Sequence, residues 1–289
     1  MEFRKITDHV YWMAPAAPDR PSLCAVVGAE RVAMLDAGAS CAHARQFLQE
    51  LGSHGVARPD YVLLTHWHWD HVFGAATIGG ELIAHRRTAE KLATLSLRDW
   101  SDAGLERQVA TGLETPLGAE NIRLEMPEPR TVRVALPQVV FEDQLELRLG
   151  SVTCRIIHVG GDHSADSSVV LVSPDRTLFL GDCLSSVFYA TQPYYTLDGL
   201  SGVLDKLERI DADLYIEGHE SEALPREAFL QELEKMRAAV RIVDEAGPDV
   251  ARAFDVARKR LNRSPDEDEE TYIRGLIVGL REYGGSAPS

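Results

Sequence analysis

The sequence predicts a mixed α/β (α+β) protein that ends in a helical extension, and two observations lead to this prediction. Up to residue 222, short apolar runs alternate with turn signals and a few amphipathic stretches, which is typical of a domain built on β-sheets. From Pro225 onward, apolar residues recur only at helical spacing. We therefore expect one sheet-based domain over residues 1–222 and a helical extension over residues 223–289.

The strand signals are short runs of β-branched and other apolar residues bounded by turns. Tyr61–Leu64 is wholly apolar, which indicates a strand buried on both faces. Ser173–Arg176 reads Ser-Pro-Asp-Arg, a strong turn between two of the runs. In chain order the predicted strands are Val10–Met13, Leu23–Val27, Arg31–Leu35, Tyr61–Leu64, Leu82–Ala84, Val132–Ala135, Val139–Phe141, Leu145–Leu149, Val152–Val159, Ser168–Val172, Thr177–Leu180 and Leu214–Ile216.

Helical spacing of apolar residues predicts helices on both sides of residue 222. Ser40 is a suitable N-cap for the first of them, and Gly247-Pro248 ends the long one. Asp102–Arg130 is polar and is expected to form a helix and a loop that lies over the protein's functional site. The predicted helices are Cys41–Leu51, Thr88–Trp100, Leu197–Ile210, Arg226–Ala246, Asp249–Leu261 and Asp266–Tyr283.

Composition narrows the class of protein. The 289 residues are 45% apolar and 26% charged, as in ordinary globular enzymes, and the formal net charge of −15 would repel a polyanion such as nucleic acid. No apolar stretch is long enough to span a membrane, and Met1–Ala14 does not read as a signal peptide. The four cysteines are far apart, so we expect reduced thiols in a cytoplasmic protein.

The segment Thr65–His71 carries three imidazoles and a carboxylate within six residues. Both side-chain types are common zinc ligands. His66 and His68 are two residues apart, so they face the same side of an extended segment and can chelate one ion. Asp70 and His71 require a turn of the chain and are expected to face a second ion.

This segment resembles the HxHxDH signature of the metallo-β-lactamase superfamily, and later motifs follow in that family's order. They are Gly160–Ser164 with His163, Leu178–Asp182 with Asp182, and Ile216–His219 with His219. The resemblance covers roughly residues 5 to 222. It implies a four-layer αββα sandwich of two mixed sheets flanked by helices, with metals at one edge.

The resemblance also implies how the ligands divide between two ions. One metal would take His66, His68 and His163, the other Asp70, His71 and His219, and Asp182 would bridge both. Seven ligands exceed the needs of one tetrahedral zinc but suit two ions that share a water. Two zinc ions are expected, with manganese or iron as alternatives. Such ions lower the pKa of the shared water, so a metal-held hydroxide is the expected nucleophile, with Asp70 and Asp182 as the catalytic carboxylates.

These features predict hydrolysis of a small carbonyl substrate such as a thioester, a lactone or another activated ester. The alternatives are a small-molecule phosphodiesterase, an iron-dependent redox protein and a non-catalytic regulator on the same fold. The expected partner is a small-molecule substrate, with no nucleic acid and no membrane. The C-terminal helices would pack beside the site's entrance or form a homodimer contact.

Several residues near these motifs have roles that the sequence leaves open. Asp166 stands where many relatives have glycine, so it is either an additional carboxylate at the site or a turn residue. Cys183 follows Asp182 directly. Tyr194 and Tyr195 lie in a loop after Asp182, and in lactonases of this family a tyrosine near the metals helps to hold the substrate.

Overall fold

Two β-sheets and the helices beside them form the first of two units into which the chain divides. The computed structural model describes residues 1–284. The first unit comprises Met1–His158, Asp166–Asp182 and Ala212–Ala223, and the second comprises Val159–Ala165, Cys183–Asp211 and the described residues from Leu224 onward. Two internal segments thus group with the C-terminal helices. The linear division at residues 222 and 223 stays a prediction about domain organisation.

The first sheet holds seven strands that lie side by side in chain order. They are β1 (Phe3–Lys5), β2 (Val10–Met13), β3 (Leu23–Val27), β4 (Val32–Leu35), β5 (Tyr61–Leu63), β6 (Glu81–His85) and β7 (Val139–Phe141). The strands β1 to β4 are antiparallel, whereas β4 to β7 are parallel. The carboxyl ends of β4, β5 and β6 therefore meet at one edge, where Asp36, His66 and His85 lie.

The second sheet of the first unit runs in the order β12-β11-β10-β9-β8. These strands are β8 (Gln144–Arg148), β9 (Thr153–His158), β10 (Ser168–Ser173), β11 (Thr177–Gly181) and β12 (Leu214–Glu217). β11 and β12 are parallel and the other pairs are antiparallel, so β9, β11 and β12 all end at the same edge. The Ser168 N–H donates to the Thr65 carbonyl over 2.8 Å, which joins this edge to the edge of the first sheet where Asp36, His66 and His85 lie.

The helices of the first unit cover the outer face of the first sheet. They are α1 (Cys41–Ser53), α2 (Trp69–Val72), α3 (Ala75–Ile78), α4 (Arg86–Leu95), α5 (Asp102–Ala110) and α6 (Pro116–Glu125). Alternation along β4 shows the layering: Met34 packs with the helices, whereas Leu35 packs between the sheets against residues such as Phe179. Burial on both faces explains why β4 is apolar at every position.

The second unit is helical apart from the short strand β13 (Leu224–Pro225). Its helices are α7 (Leu197–Leu207), α8 (Arg226–Ala246), α9 (Val250–Leu261) and α10 (Glu267–Tyr283). Asp266 and Glu269 form a reciprocal capping box at the start of α10, which satisfies two backbone N–H groups. The three C-terminal helices predicted from the sequence are confirmed. Among residues 1–284, no helix is both long enough and apolar enough to cross a bilayer.

One predicted strand is wrong, and two predicted helical regions have different bounds in the structure. Residues 132–135 form no strand; instead Val132, Val134 and Ala135 pack against the helix-side apolar cluster, while β7 occupies the place beside β6. Their alternating apolar pattern reports side-chain burial and not backbone pairing. The polar region Asp102–Arg130 forms two helices, α5 and α6, and the predicted helix Thr88–Trp100 is instead α4, which ends at Leu95.

Candidate metal centre

Two aspartates and two histidines meet where the strands of the first unit end. The chain turns after His68 into the single-turn helix α2, which carries Asp70 and His71. Asp182 follows β11 and His219 follows β12, and these parallel neighbours are tied by the Gly218 N–H donating to the Gly181 carbonyl over 2.9 Å. One ligand atom from each of Asp70, His71, Asp182 and His219 lies within 4.8 Å of the others. We call these four residues the Asp/His cluster.

The spacing of the ligand atoms suits a small divalent cation. His71 Nε2 lies 3.2 Å from Asp70 Oδ2 and 3.2 Å from Asp182 Oδ2. His219 Nε2 lies 3.2 Å and 3.3 Å from the same two oxygens. A tetrahedral zinc with bonds of about 2.0–2.1 Å holds its ligand atoms roughly 3.3 Å apart. The Asp/His cluster therefore fits zinc in the arrangement that the protein already adopts.

The electrostatics of the Asp/His cluster also favour a cation. Burial alone would raise the pKa of Asp70 and Asp182, but His71 and His219 hold the pKa of both carboxyls well below its usual range. Burial would lower the pKa of the imidazoles, but the carboxylates outweigh it and raise the pKa of His71 strongly and that of His219 to about 11. The buried carboxylates thus favour positive charge beside them, and a divalent cation can supply that charge.

Asp36, which the sequence analysis did not identify, contacts the His71 nitrogen that faces away from Asp70 and Asp182. It is completely buried at the end of β4, and its Oδ2 lies 2.7 Å from His71 Nδ1. The same carboxylate accepts hydrogen bonds from Thr65 N–H over 2.7 Å and from Thr65 Oγ1 over 2.8 Å. These bonds place the proton on His71 Nδ1 and turn Nε2 toward the Asp/His cluster. An aspartate directly after a buried strand, as at Asp182, was the signal that could have found it.

The exposed side of the Asp/His cluster is lined by a second missed pair. The side chain of His219 is 37% exposed, and its Nδ1 lies 3.9 Å from Asp19 Oδ1. Asn121 donates a 3.0 Å hydrogen bond to Asp19. Burial and the nearby Asp70 raise the pKa of Asp19. No sequence motif links these residues to the site, because they lie far from the ligands along the chain.

A glycine beside the ligands makes room for them. A Cβ at Gly218 would lie 2.0 Å from Asp182 Oδ1 and 3.2 Å from His71 Cε1, so only glycine fits between these two ligands.

His66 and His68 lie beside the Asp/His cluster in the first unit. Both are buried, their ring centroids are 4.5 Å apart, and the His66 ring is 4.3 Å from that of His71. His66 Nε2 lies 4.0 Å from Asp182 Oδ2. The same Asp182 oxygen therefore lies within 4.0 Å of both His66 Nε2 and His71 Nε2, and its bridging role stays a prediction.

His163 belongs to the second unit, in the segment Val159–Ala165 between β9 and β10. Its Nδ1 lies 3.1 Å from the carbonyl oxygen of Ser186. This contact favours the tautomer with the proton on Nδ1, which keeps Nε2 as the metal-binding atom. The assignment of His163 to the ion of His66 and His68 stays a prediction.

Asp166 makes a buried hydrogen bond within the first unit. Its buried carboxylate accepts a 2.7 Å hydrogen bond from Thr88 Oγ1, which ties the start of β10 to α4. His85 and His158, at the ends of β6 and β9, stack with centroids 3.9 Å apart. Burial, with His158 nearby, lowers the pKa of His85 to about 4. The His85 ring is therefore neutral at physiological pH.

Tyr194, Tyr195 and Cys183 are all buried in the second unit. The Tyr194 ring stacks on that of Tyr283 with centroids 4.2 Å apart, and the Tyr195 hydroxyl donates to the Leu184 carbonyl over 3.3 Å. Both tyrosines thus make packing contacts within this unit.

Comparisons with known proteins agree with this architecture. The family model of the metallo-beta-lactamase superfamily matches residues 17–241. The chain is similar to a Beta-lactamase-like protein 2 homolog from Caenorhabditis elegans, at 24% identity over 164 residues, which are 55% of this chain and 42% of that protein. The chain therefore spans less than half the length of this curated relative.

Solved structures show the same fold at low sequence identity. The inverting sec-alkylsulfatase Pisa1 from Pseudomonas sp. superimposes with a TM-score of 0.68 at 15% identity, covering 98% of this chain and 50% of that one. A metallo-beta-lactamase family protein from Thermus thermophilus gives a TM-score of 0.57 at 19% identity, covering 97% and 95%. The predicted fold class is confirmed. With its family match over most of its length, the chain belongs to the metallo-beta-lactamase superfamily.

Proposed function

We propose that the protein is a two-zinc hydrolase that acts on a small carbonyl substrate, such as a thioester, a lactone or another activated ester. The observation that carries the proposal is the geometry of the Asp/His cluster, in which each histidine Nε2 lies 3.2–3.3 Å from both carboxylate oxygens. The buried carboxylates Asp70 and Asp182 contribute two negative charges, which offset a divalent cation.

The second cation of the proposal would bind His66, His68 and His163. Two contacts support this assignment: Asp182 lies 4.0 Å from His66, and Ser186 favours the His163 tautomer that leaves Nε2 for a metal. Asp182 would then serve both ions. Manganese or iron could take the same nitrogen and oxygen ligands.

The chain's own residues account for positioning and charge. Bound divalent cations supply Lewis acidity and a water of lowered pKa. Asp36 orients His71, and Asp182 Oδ2 lies within 4.0 Å of both His66 Nε2 and His71 Nε2. Burial raises the pKa of the Cys154 thiol to about 12 and that of Cys24 well above its ordinary value, so neither is a nucleophilic thiolate at neutral pH. A metal-centred reaction needs neither thiol.

Charge and accessibility support a small-molecule substrate. The exposed side of His219 opens the Asp/His cluster to solvent, and the net charge of −15 favours a small molecule over nucleic acid. A cytoplasmic location belongs to the proposal; the four cysteines, all free thiols, support it. A homodimer through the C-terminal helices is the corresponding proposal for assembly.

The experiment is a panel of substrates tested on the chelator-treated protein reloaded with zinc or manganese. The panel contains thioesters, lactones, β-lactams, phosphodiesters and secondary alkyl sulfates. We expect turnover of a thioester or lactone, and its loss in Asp70→Ala at unchanged circular dichroism. Asp255→Ala, which removes an exposed aspartate on α9, is the matched control and should remain active.

The outcomes separate the alternatives. Turnover of phosphodiesters alone would replace the carbonyl substrate by a phosphodiester. Stoichiometric iron with visible absorption would favour redox chemistry over hydrolysis. Full metal content with no turnover of any substrate would overturn the hydrolase proposal and favour a regulatory protein.

A further inference from the structure

The C-terminal helix α10 presents a glycine face to the loop before α7. Gly275 and Gly279 are four residues apart and share one side of the helix. A Cβ at Gly279 would lie 1.9 Å from the Tyr195 carbonyl oxygen, and one at Gly275 would lie 2.9 Å from Tyr195 Cδ2. Tyr195 N–H also donates to the Gly275 carbonyl over 3.3 Å. Glycine within a helix costs about 0.5–1 kcal/mol relative to alanine, and here it permits this close approach.

Further contacts hold this loop at several points. The Tyr194 ring stacks on Tyr283 of α10, with centroids 4.2 Å apart and planes 14° apart. The Tyr195 hydroxyl donates to the Leu184 carbonyl over 3.3 Å, and Val187 N–H donates to the Tyr194 carbonyl over 3.0 Å. The residues on both sides of Ser186 are therefore tied to the tyrosines that α10 holds.

The same loop holds the segment that carries His163. The Ser186 carbonyl accepts a hydrogen bond from His163 Nδ1 over 3.1 Å. The neighbouring Asp162, also buried, accepts bonds from Thr196 N–H over 2.8 Å and from Thr196 Oγ1 over 2.7 Å. Asp162 and His163 are thus hydrogen-bonded to Thr196 and Ser186, which lie toward the two ends of the loop that α10 contacts. All these residues belong to the second unit.

We propose that α10 is a positioning element for a metal ligand: its glycine face seats Tyr194 and Tyr195, and this loop presents the Ser186 carbonyl that fixes the tautomer and direction of His163. The inference rests on the proposed function, because that proposal makes His163 a ligand. A hydrogen bond to the non-coordinating nitrogen typically strengthens metal binding 10- to 100-fold. The C-terminal extension would therefore set the affinity for one of the two proposed ions through the orientation of His163.

The experiment compares Gly279→Ala and the milder Tyr283→Ala with wild type in the full-length protein. Zinc titration of the chelator-treated protein by calorimetry should show one of two binding steps weakened about tenfold in Gly279→Ala and less in Tyr283→Ala. The step is assigned with His163→Ala, which should remove the same one. Long-range proton–nitrogen NMR should show His163 protonated on Nδ1 in wild type and mixed tautomers in the variants. Gly202→Ala is the control, since a Cβ there meets nothing within 4 Å.

The outcomes distinguish this inference from the proposed function. If His163→Ala leaves two zinc steps unchanged, His163 is not a ligand and the proposed ligand set fails. If His163→Ala removes one step but both α10 variants keep wild-type zinc affinity and the Nδ1 tautomer, α10 stabilises the fold only and the positioning role is refuted. Weakening of both steps by the same factor in Gly279→Ala would also refute it.

Discussion

Replacing Asp36 by asparagine should weaken metal binding at the Asp/His cluster while the fold persists. In wild type, Asp36 Oδ1 accepts from Thr65 N–H, and Oδ2 faces both Thr65 Oγ1 and His71 Nδ1. The asparagine oxygen must stay opposite the Thr65 N–H, because two donors facing each other would repel. The new NH₂ group then points at His71 Nδ1.

The tautomer of His71 follows from this orientation. An NH₂ donor requires Nδ1 to accept, so the proton of a neutral ring moves to Nε2, the atom that faces Asp70 and Asp182. A protonated Nε2 cannot bind a metal. Loss of such a supporting contact typically lowers metal affinity 10- to 100-fold, which corresponds to about 1.4–2.7 kcal/mol.

Competition with a chromophoric zinc chelator measures the effect. Asp36→Asn should weaken one binding step by at least about tenfold and lower turnover at limiting zinc. The control is Asp60→Asn, where the carboxylate accepts from Val32 N–H and Arg31 at the surface. Equal zinc affinity in Asp36→Asn and wild type, with the variant folded, would refute the argument that Asp36 sets the His71 tautomer.

Two further predictions concern close packing and pH. Gly218→Ala places a Cβ 2.0 Å from Asp182 Oδ1, so we expect zinc binding to be at least about tenfold weaker when measured by dialysis and metal analysis. Gly52→Ala is the control and should bind zinc normally, because a Cβ at Gly52 meets nothing within 4 Å. Burial, with the nearby Arg20 charge, lowers the pKa of His43 to about 3, below its usual 6.5. The unfolded chain therefore binds a proton that the folded one does not, and stability should fall by about 2 kcal/mol between pH 7 and pH 5 through this group. Urea unfolding should show a smaller loss in His43→Gln; equal losses in both proteins would contradict this assignment.

The sequence by itself determined the features that depend on residues close together along the chain. The candidate ligands His66, His68, Asp70 and His71 share one short segment, so their spacing alone indicated a metal site. Strands buried on both faces show as unbroken apolar runs, as at Tyr61–Leu63, and helices such as α8 show by the spacing of their apolar face. Local pattern failed at Val132–Ala135, where apolar alternation came from packing without a strand partner.

Only the tertiary structure decided which distant residues support those ligands. Asp36 reaches His71, 35 positions away, because β4 and β5 are parallel neighbours that end at the same edge. Tyr195 meets Gly279 because α10 lies against the loop before α7, far earlier in the chain. Such contacts depend on strand order and helix packing, which bring together residues with no common motif. Residue type and spacing therefore predicted the ligands, whereas packing selected the residues that orient them.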